Sequence, residues 1–305
     1  MEKYYITTPI YYVNDKPHIG HAYTTILADT ISRFRALIGE KPTFLTGLDE
    51  HGLKVQQAAE KNGKAPQDHC DSMAPAFIDL WKKLNINYSD FIRTTEHRHT
   101  KIVQQILTKV HESGDIYMDE YEGWYSISEE RFITEKELDS GQFGEVKQIK
   151  EKNYFFRMSK YQATLIDKIE KDELLIQPKS RKNEVLGFLK NELSDLCISR
   201  PKSRLEWGIE LPFDDNYVTY VWFDALINYI SAIGAYRNDE QFSSLWPADV
   251  HLIGKDILTT HSVYWPTMLL SLGLPLPQRI FAHGWWLTDD QKMSKSLGNV
   301  VSPLM

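Results

Sequence analysis

The sequence predicts an α/β fold, a doubly wound parallel sheet interrupted by an inserted α+β connective domain. Three observations carry this. Over residues 1–114, short β-branched and aromatic runs alternate with stretches of helical periodicity, as right-handed crossovers onto a parallel sheet require. Over 115–210 that rhythm gives way to aromatic, turn-rich text. Over 211–305 it resumes. At 305 residues the chain is long enough for one large domain with an insertion.

Taken in order, Tyr4-Tyr5-Ile6-Thr7-Thr8-Pro9-Ile10-Tyr11-Tyr12-Val13 reads as a strand, and Asn14, Asp15 and Pro17 supply turn chemistry. Tyr23, Leu27, Ile31, Phe34 and Ile38 recur at helical steps and predict one buried stripe, closed by Gly39. Thr43–Gly47 predicts a second strand, leading into Asp49-Glu50-His51-Gly52 and a helix from about Leu53 to Lys61. Pro66 opens a helix with Cys70, Met73, Phe77, Leu80 and Leu84 on one face. Asp90–Arg93 is a third strand. Thr94 or Thr95 is expected to cap the next helix, which Gly114 ends. The insertion is expected to hold short antiparallel strands and two helices, one with Leu165 and Ile169, one with Val185, Leu189, Leu193 and Leu196. Tyr217–Phe223 reads as a strand before a helix from about Ala225 to Tyr236. Val250–Gly254 is a buried strand, Asp256–Leu272 a helix kinked at Pro266, Arg279–Gly284 a last strand, and Asp289–Asn299 a polar loop.

Composition narrows the class. Apolar residues make up 42% and charged residues 25%, ordinary for a globular protein. No run of eighteen apolar residues exists, so no membrane-spanning helix is expected. Met1-Glu2-Lys3 runs straight into the first strand, so no leader is expected, and the predicted location is the cytoplasm. Cys70 and Cys197 sit in helix-like apolar spacing and read as reduced core residues. With a net charge of −7, any nucleic-acid partner must be met by local basic patches.

The unusual polar clusters fall where strands are expected to end, which is where an open α/β sheet binds its ligands. His18-Ile19-Gly20-His21 follows the first strand and opens a helix. A helix start suits phosphate, Gly20 permits close approach, and two imidazoles three apart share a face. Asp49 and His51 follow the second strand; Gly254, Lys255 and Asp256 follow the fourth. Lys292-Met293-Ser294-Lys295-Ser296 follows the fifth and offers two flexible cations beside hydroxyls. Neither G-x-x-x-x-G-K-[ST] nor G-x-G-x-x-G occurs, which argues against a P-loop enzyme or a dinucleotide dehydrogenase.

The histidine pair together with the two-lysine motif resembles the paired signature of class I aminoacyl-tRNA synthetases. Pro9–Asn14, Gly47–Gly52, Tyr220–Ala225 and Gly254–Ile257 resemble the methionyl-tRNA synthetases in particular. The resemblance spans essentially the whole chain and implies a Rossmann-like, HUP-type fold. It implies that methionine and ATP form methionyl-adenylate, and that methionine then passes to the 3′ end of tRNA(Met). It implies that His18, Gly20 and His21 hold ATP phosphates, that Lys292 and Lys295 stabilise the charge of adenylation, and that Gly254 and Asp256 face the ribose. Asp49 would meet the amino group. Ile10, Tyr12, Trp222, Ala225, Leu226, Tyr229, Ile257 and His261 would line the side-chain pocket, whose character suits a polarizable thioether. ATP is expected with Mg²⁺. His51 is open to two readings, general base or structural residue of its turn.

Three departures from the family pattern shape further expectations. Many relatives carry Cys-x-x-Cys knuckles in the insertion, whereas Trp124-Tyr125-Ser126-Ile127-Ser128 and Gln142-Phe143-Gly144-Glu145 carry none. Two distant cysteines do not make a tetrahedral site, so no structural zinc is expected. Asp290 stands where relatives often have glycine. The helical anticodon-binding domain expected after the lysine motif does not follow, so the sequence reads as a catalytic fragment with weak tRNA recognition. The rival readings are a small nucleotidylyltransferase, which gives no reason for the Trp222 pocket, and an idle RNA- or partner-binding fragment. Amino-acid-dependent pyrophosphate exchange separates the three.

Overall fold

The computed structural model describes residues 2–126, 131–133, 138–139, 145–285, 287–288, 291–292 and 301–303. The first strand, β1 (Lys3–Tyr12), leads into the helix α1 (Ile19–Leu37). β2 (Lys41–Asp49) is followed by α2 (Leu53–Lys61) and α3 (Pro66–Lys83), and β3 (Asp90–Arg93) by α4 (His97–Glu112). The middle of the chain supplies β4 (Ile116–Ser126), β5 (Arg131–Ile133), β6 (Val146–Phe156), β7 (Leu175–Gln177), β8 (Leu196–Cys197), β9 (Ser199–Pro201), β10 (Glu210–Leu211) and β11 (Asp214–Thr219). Then come β12 (Val250–Gly254), β13 (Arg279–His283) and the pair β14 (Leu287–Thr288) and β15 (Gln291–Lys292).

The central sheet runs β3-β2-β1-β12-β13-β7, and every pairing in it is parallel. The order reverses between β1 and β12, so the switch point lies between those two strands, in the middle of the sheet. Its inner strands are buried on both faces, which is why they read as apolar runs rather than alternating patterns. The main core gathers Tyr5, Leu45, Ile92, Ile253 and Ile280 with residues of α4 and of the segment 223–235.

Several expectations change. The stripe predicted on α1 is buried only in part: Tyr23, Leu27 and Ile31 are half-buried, the last two against a core cluster, whereas Phe34 is 56% and Ile38 55% exposed. The buried face holds Ala22, Thr24, Thr25, Ala28, Asp29 and Ser32. Small side chains let this helix lie close against the sheet, with Leu27 and Ile31 packed against the same cluster as Ala28. α4 takes no cap from Thr94 or Thr95; its N-cap is Glu96, and both threonines turn to Glu50 instead. Tyr217–Phe223 is not a strand of the main sheet. β11 ends at Thr219 in a three-stranded antiparallel sheet with β9 and β10, and Val221–Ala225 is already helical. The long helix expected after it is two short ones, Val221–Ala225 and Asn228–Ser231. Pro266 sits in the first turn of helix Trp265–Leu272, where its missing N–H costs nothing, and the chain before it turns through a wider π-type coil, Thr260–Tyr264.

Within 115–210, β4 and β6 are eleven-residue antiparallel partners rather than short strands. Leu193 and Leu196 lie beyond the second predicted helix, which spans Lys179–Phe188, and Cys197 lies in a strand. Leu175–Gln177 leaves this region to pair in parallel with β13 at the edge of the main sheet. The span read as one insertion is therefore crossed by a strand of the main sheet. Ser128 and Gln142–Gly144 lie outside the described residues, as do Asp290 and most of the predicted polar loop; within that loop, Gln291–Lys292 is a strand paired with β14.

Candidate active site

The two motif histidines build the first turn of α1. His18 occupies the N-cap with extended backbone, φ −122° and ψ 175°, and its Nδ1 accepts the Gly20 N–H at 3.0 Å. His21, three residues on, accepts the His18 N–H on its own Nδ1 at 3.0 Å. This is the reciprocal cap that a hydroxyl residue and a glutamate usually make. With imidazoles the cap has a chemical consequence. Each ring commits its Nδ1 lone pair to the backbone, so a neutral ring carries its proton on Nε2. The rings lie 3.8 Å apart at the positive end of the helix, the end that favours an anion. Gly20 makes the arrangement possible: a Cβ there would stand 2.8 Å from His18 Cε1. Tyr11 supports His21 with an edge-on ring contact at 4.8 Å and is itself fixed by a 2.7 Å hydrogen bond to Thr25.

Two further contacts draw distant chain to this helix. The Ile19 N–H donates to the Val301 carbonyl at 3.1 Å. The Thr24 hydroxyl meets His283 Nε2 at 2.7 Å, while His283 Nδ1 donates to the Gly284 carbonyl. The end of β13 is thereby fastened beside α1. Gly254 ends the neighbouring β12, and a Cβ on it would meet Asp256 Oδ1 at 2.6 Å and His283 Cε1 at 3.7 Å. The predicted ribose residues thus converge with His283. Lys292 lies in β15, its backbone paired with Leu287. Lys295 lies outside the described residues.

On the pocket side, Tyr12 and Asp49 are register partners at the ends of β1 and β2, and Ile10 pairs with Gly47. Gly47 is needed there, since a Cβ would stand 2.0 Å from the Ile92 carbonyl oxygen. His261 Nδ1 donates to the Ile257 carbonyl at 2.9 Å, so its Nε2 is an acceptor, and the Tyr229 hydroxyl donates to it at 2.7 Å. Burial holds the His261 ring down at about 4 and pushes the Tyr229 phenol well above its usual range. Both are therefore neutral near pH 7 and suited to an apolar guest. Behind Tyr229, at 4.2 Å between rings, stands the buried His251, bonded to Thr7 and accepting from Trp265. Ile10, Ile257, Leu226 and Tyr229 belong to the main core, while Tyr12 packs on a second cluster with Trp207. Ala225 is buried and Trp222 half-buried, both on the short helix before Leu226.

Sequence reasoning missed a buried network beside this pocket. Asp224 accepts from His51 Nδ1 at 2.6 Å and from His99 Nε2 at 2.7 Å, and His99 Nδ1 meets the Ser231 hydroxyl at 2.7 Å. Burial by itself would raise the Asp224 carboxyl; the two imidazoles outweigh it and leave the group at about 2. His51 is thereby committed on one nitrogen to a carboxylate. Its turn is held further by Trp207, whose indole N–H donates to the Glu50 carbonyl and whose own carbonyl accepts the Gly52 N–H at 3.1 Å. The signal was present in the sequence as Asp224, Asn228 and Ser231, polar residues at helical spacing inside an apolar run.

No group of three or more His, Cys, Asp or Glu that could hold a metal ion occurs among the described residues. No described helix is long and apolar enough to cross a membrane.

Comparison with known proteins follows the same lines. The family described as tRNA synthetases class I (M) matches residues 4–142 and 139–304. The methionine--tRNA ligase of Halalkalibacterium halodurans is 50% identical over 99% of this chain, and that of Bacillus subtilis 49% identical over 99%. The chain spans about half the length of these curated relatives, 48% in each case. The structure of Mycobacterium tuberculosis methionyl-tRNA synthetase in complex with methionyl-adenylate superposes with a TM-score of 0.94 at 43% identity, covering 100% of this chain and 61% of that one. The apo form of that protein superposes with a TM-score of 0.78 at 40% identity, covering 93% of this chain and 56% of that one. A parallel sheet with its polar clusters at the strand ends, a double-histidine helix cap and a family match along nearly the full chain lead to one assignment: this chain belongs to the class I tRNA synthetases of the methionyl type.

Proposed function

We propose that the chain activates L-methionine with MgATP to methionyl-adenylate and pyrophosphate, and that within the complete enzyme the methionyl group passes to the 3′ end of tRNA(Met). The observation that carries this reading is the first turn of α1, where His18 and His21 each accept a backbone N–H on Nδ1, which leaves Nε2 as the donor atom of each ring, beside the switch point of the sheet. On this reading the methionine carboxylate attacks the α-phosphorus of ATP and pyrophosphate leaves. No enzyme nucleophile takes part; catalysis rests on position and on donors aimed at the developing charge. His18 and His21 serve the phosphates, joined by Lys292 and Lys295. Gly254 and Asp256 serve the ribose. Asp49 receives the ammonium group. Ile10, Tyr12, Trp222, Ala225, Leu226, Tyr229, Ile257 and His261 enclose the side chain, with the Tyr229–His261 pair presented to the thioether.

Mg²⁺ enters as part of the MgATP substrate, which suits an ion that prefers phosphate oxygens and its own waters to a protein cage. The insertion is proposed to need no zinc. We assign 1–114 and 211–305 to the catalytic sheet and 115–210 to the connective region, with Leu175–Gln177 returned to the sheet. The proposed location is the cytoplasm, where the tRNA partner is found. tRNA binding by this stretch alone should be weak.

The test is ATP–pyrophosphate exchange with methionine against leucine, isoleucine and cysteine. Exchange with methionine alone is expected. Exchange driven by another amino acid would refute the pocket assignment, and absence of both exchange and methionine binding by calorimetry would refute the activity for this chain.

A further inference from the structure

The segment 221–231 has two working faces. Trp222, Ala225, Leu226 and Tyr229 recur at helical spacing and carry the proposed methionine pocket. Asp224, Asn228 and Ser231 recur at the same spacing on another side. All three are buried, and Asp224 and Ser231 both reach His99 of α4. Asp224 also reaches back to His51, two residues after Asp49. One carboxylate therefore ties three pieces of chain together: the turn that carries Asp49, the helix α4, and the short helices that carry the pocket.

An apolar side chain at 224 would fill the same space with less desolvation, so a buried ion here needs a reason. The geometry supplies one. The helix Val221–Ala225 is only five residues long, too short to fix its own rotation. Apolar packing alone tolerates small turns about the axis. Two directional hydrogen bonds at 2.6 and 2.7 Å, one to each oxygen of one carboxylate, do not.

We propose that Asp224, gripped by His51 and His99, is a positioning residue that sets the rotation of the pocket helix relative to the Asp49 turn, and so fixes the distance at which methionine's side chain and ammonium group are read together. Asp224 touches no substrate. This rests on the assignment of the pocket to methionine, and it gives His51 a role as an orienting donor rather than a general base.

The chemistry dictates a rescue pattern. His51 uses Nδ1, which the amide nitrogen of asparagine reproduces in place; leucine fills the space and donates nothing. The experiment measures L-methionine and MgATP affinities separately by calorimetry, with Tm, for the wild-type chain, Asp224→Asn, His51→Leu and His51→Asn. Removing the carboxylate or the donor is expected to weaken methionine roughly tenfold, within the range of coupling carried by residues that touch no ligand, and to leave MgATP within about twofold. His51→Asn is expected to restore methionine binding. Should Asp224→Asn not fold, the His51 pair carries the test alone. Methionine affinity unchanged in the folded variants, or methionine and MgATP affinity falling together in step with Tm, would overturn the proposal. So would leucine and asparagine at 51 behaving alike. A wild-type chain that binds MgATP but no methionine would instead overturn the pocket assignment on which the proposal stands.

Discussion

Replacing Gly20 with alanine should separate activity from stability. A Cβ at position 20 would lie 2.8 Å from His18 Cε1 and 3.0 Å from its Nδ1. The ring must swing away, which breaks the 3.0 Å bond from the Gly20 N–H to Nδ1 and removes the His18 Nε2–H from the helix start. In the folded state the lost cap costs about 1 kcal/mol. Alanine inside a helix recovers about 0.5–1 kcal/mol relative to glycine, so the two nearly cancel. The reaction has no such offset. Removing one preorganised donor from a developing charge costs about 3 kcal/mol, or roughly a hundredfold or more in rate. Methionine-dependent pyrophosphate exchange at varied MgATP, run beside a thermal melt, reads both quantities. The expected result is a fall of about a hundredfold in kcat/KM for MgATP with Tm moved by no more than about 3 °C. Exchange within threefold of wild type would refute the claim that the His18 ring must sit over Gly20. A Tm loss of about 10 °C or more would show that the glycine serves folding instead.

Other outcomes follow from the same geometry. Gly47→Ala puts a Cβ 2.0 Å from the Ile92 carbonyl oxygen and must force β2 from β3; a loss of about 3 kcal/mol by denaturant titration, or failure to fold, is expected. His261 is held at about 4 in the fold against an ordinary 6.5, so between those values the unfolded chain binds a proton that the folded chain refuses. Stability therefore falls as pH drops from 6.5 toward 4, by roughly 3 kcal/mol from this group, and buried His251 pulls the same way; His261→Gln should flatten the slope of melts taken between pH 7 and 4.5. Asp224 acts in the same direction but in a lower window, its stabilisation being fully present above its ordinary 3.8 and lost as pH falls toward 2. Tyr229→Phe leaves His261 Nε2 buried without its donor and should cost about 1–3 kcal/mol while raising the KM for methionine. A strong chelator should leave Tm unchanged and abolish exchange, with Mg²⁺ sufficient to restore it.

The parallel sheet was legible because its strands are short apolar runs set between periodic segments, and Val250–Gly254 was read to the residue. The ends of those strands pointed to the candidate site, since histidine, aspartate and glycine clusters stand out against apolar text. What failed had physical causes. The large residues of α1 are periodic, yet Ala22, Thr25 and Ala28 take the sheet because small side chains permit the closer approach. Tyr217–Phe223 has the composition of a strand, but Tyr220 pairs its carbonyl with helical N–H groups and the chain coils from there. Thr94 and Thr95 have the chemistry of caps, and Glu50 competes for both. The network around Asp224 escaped notice because its members are 51, 99, 224 and 231, and no local pattern joins His51 to a carboxylate so far along the chain.

The placing of β1 has a consequence for synthesis. One of its neighbours, β2, follows within a few dozen residues, with Ile6 against Phe44. The other, β12, sets Val250 beside the same Ile6. As the chain leaves the ribosome, the first three strands can assemble early, but the other edge of β1 stays open from Arg93 until Val250 and the rest of β12 have emerged. Such an edge invites the wrong strand, and long-range parallel pairing is slow to close. The N–H of Ile19, whose partner is Val301, waits longer still. The candidate active site thus closes only after Val301, far along the chain, has reached its first helix.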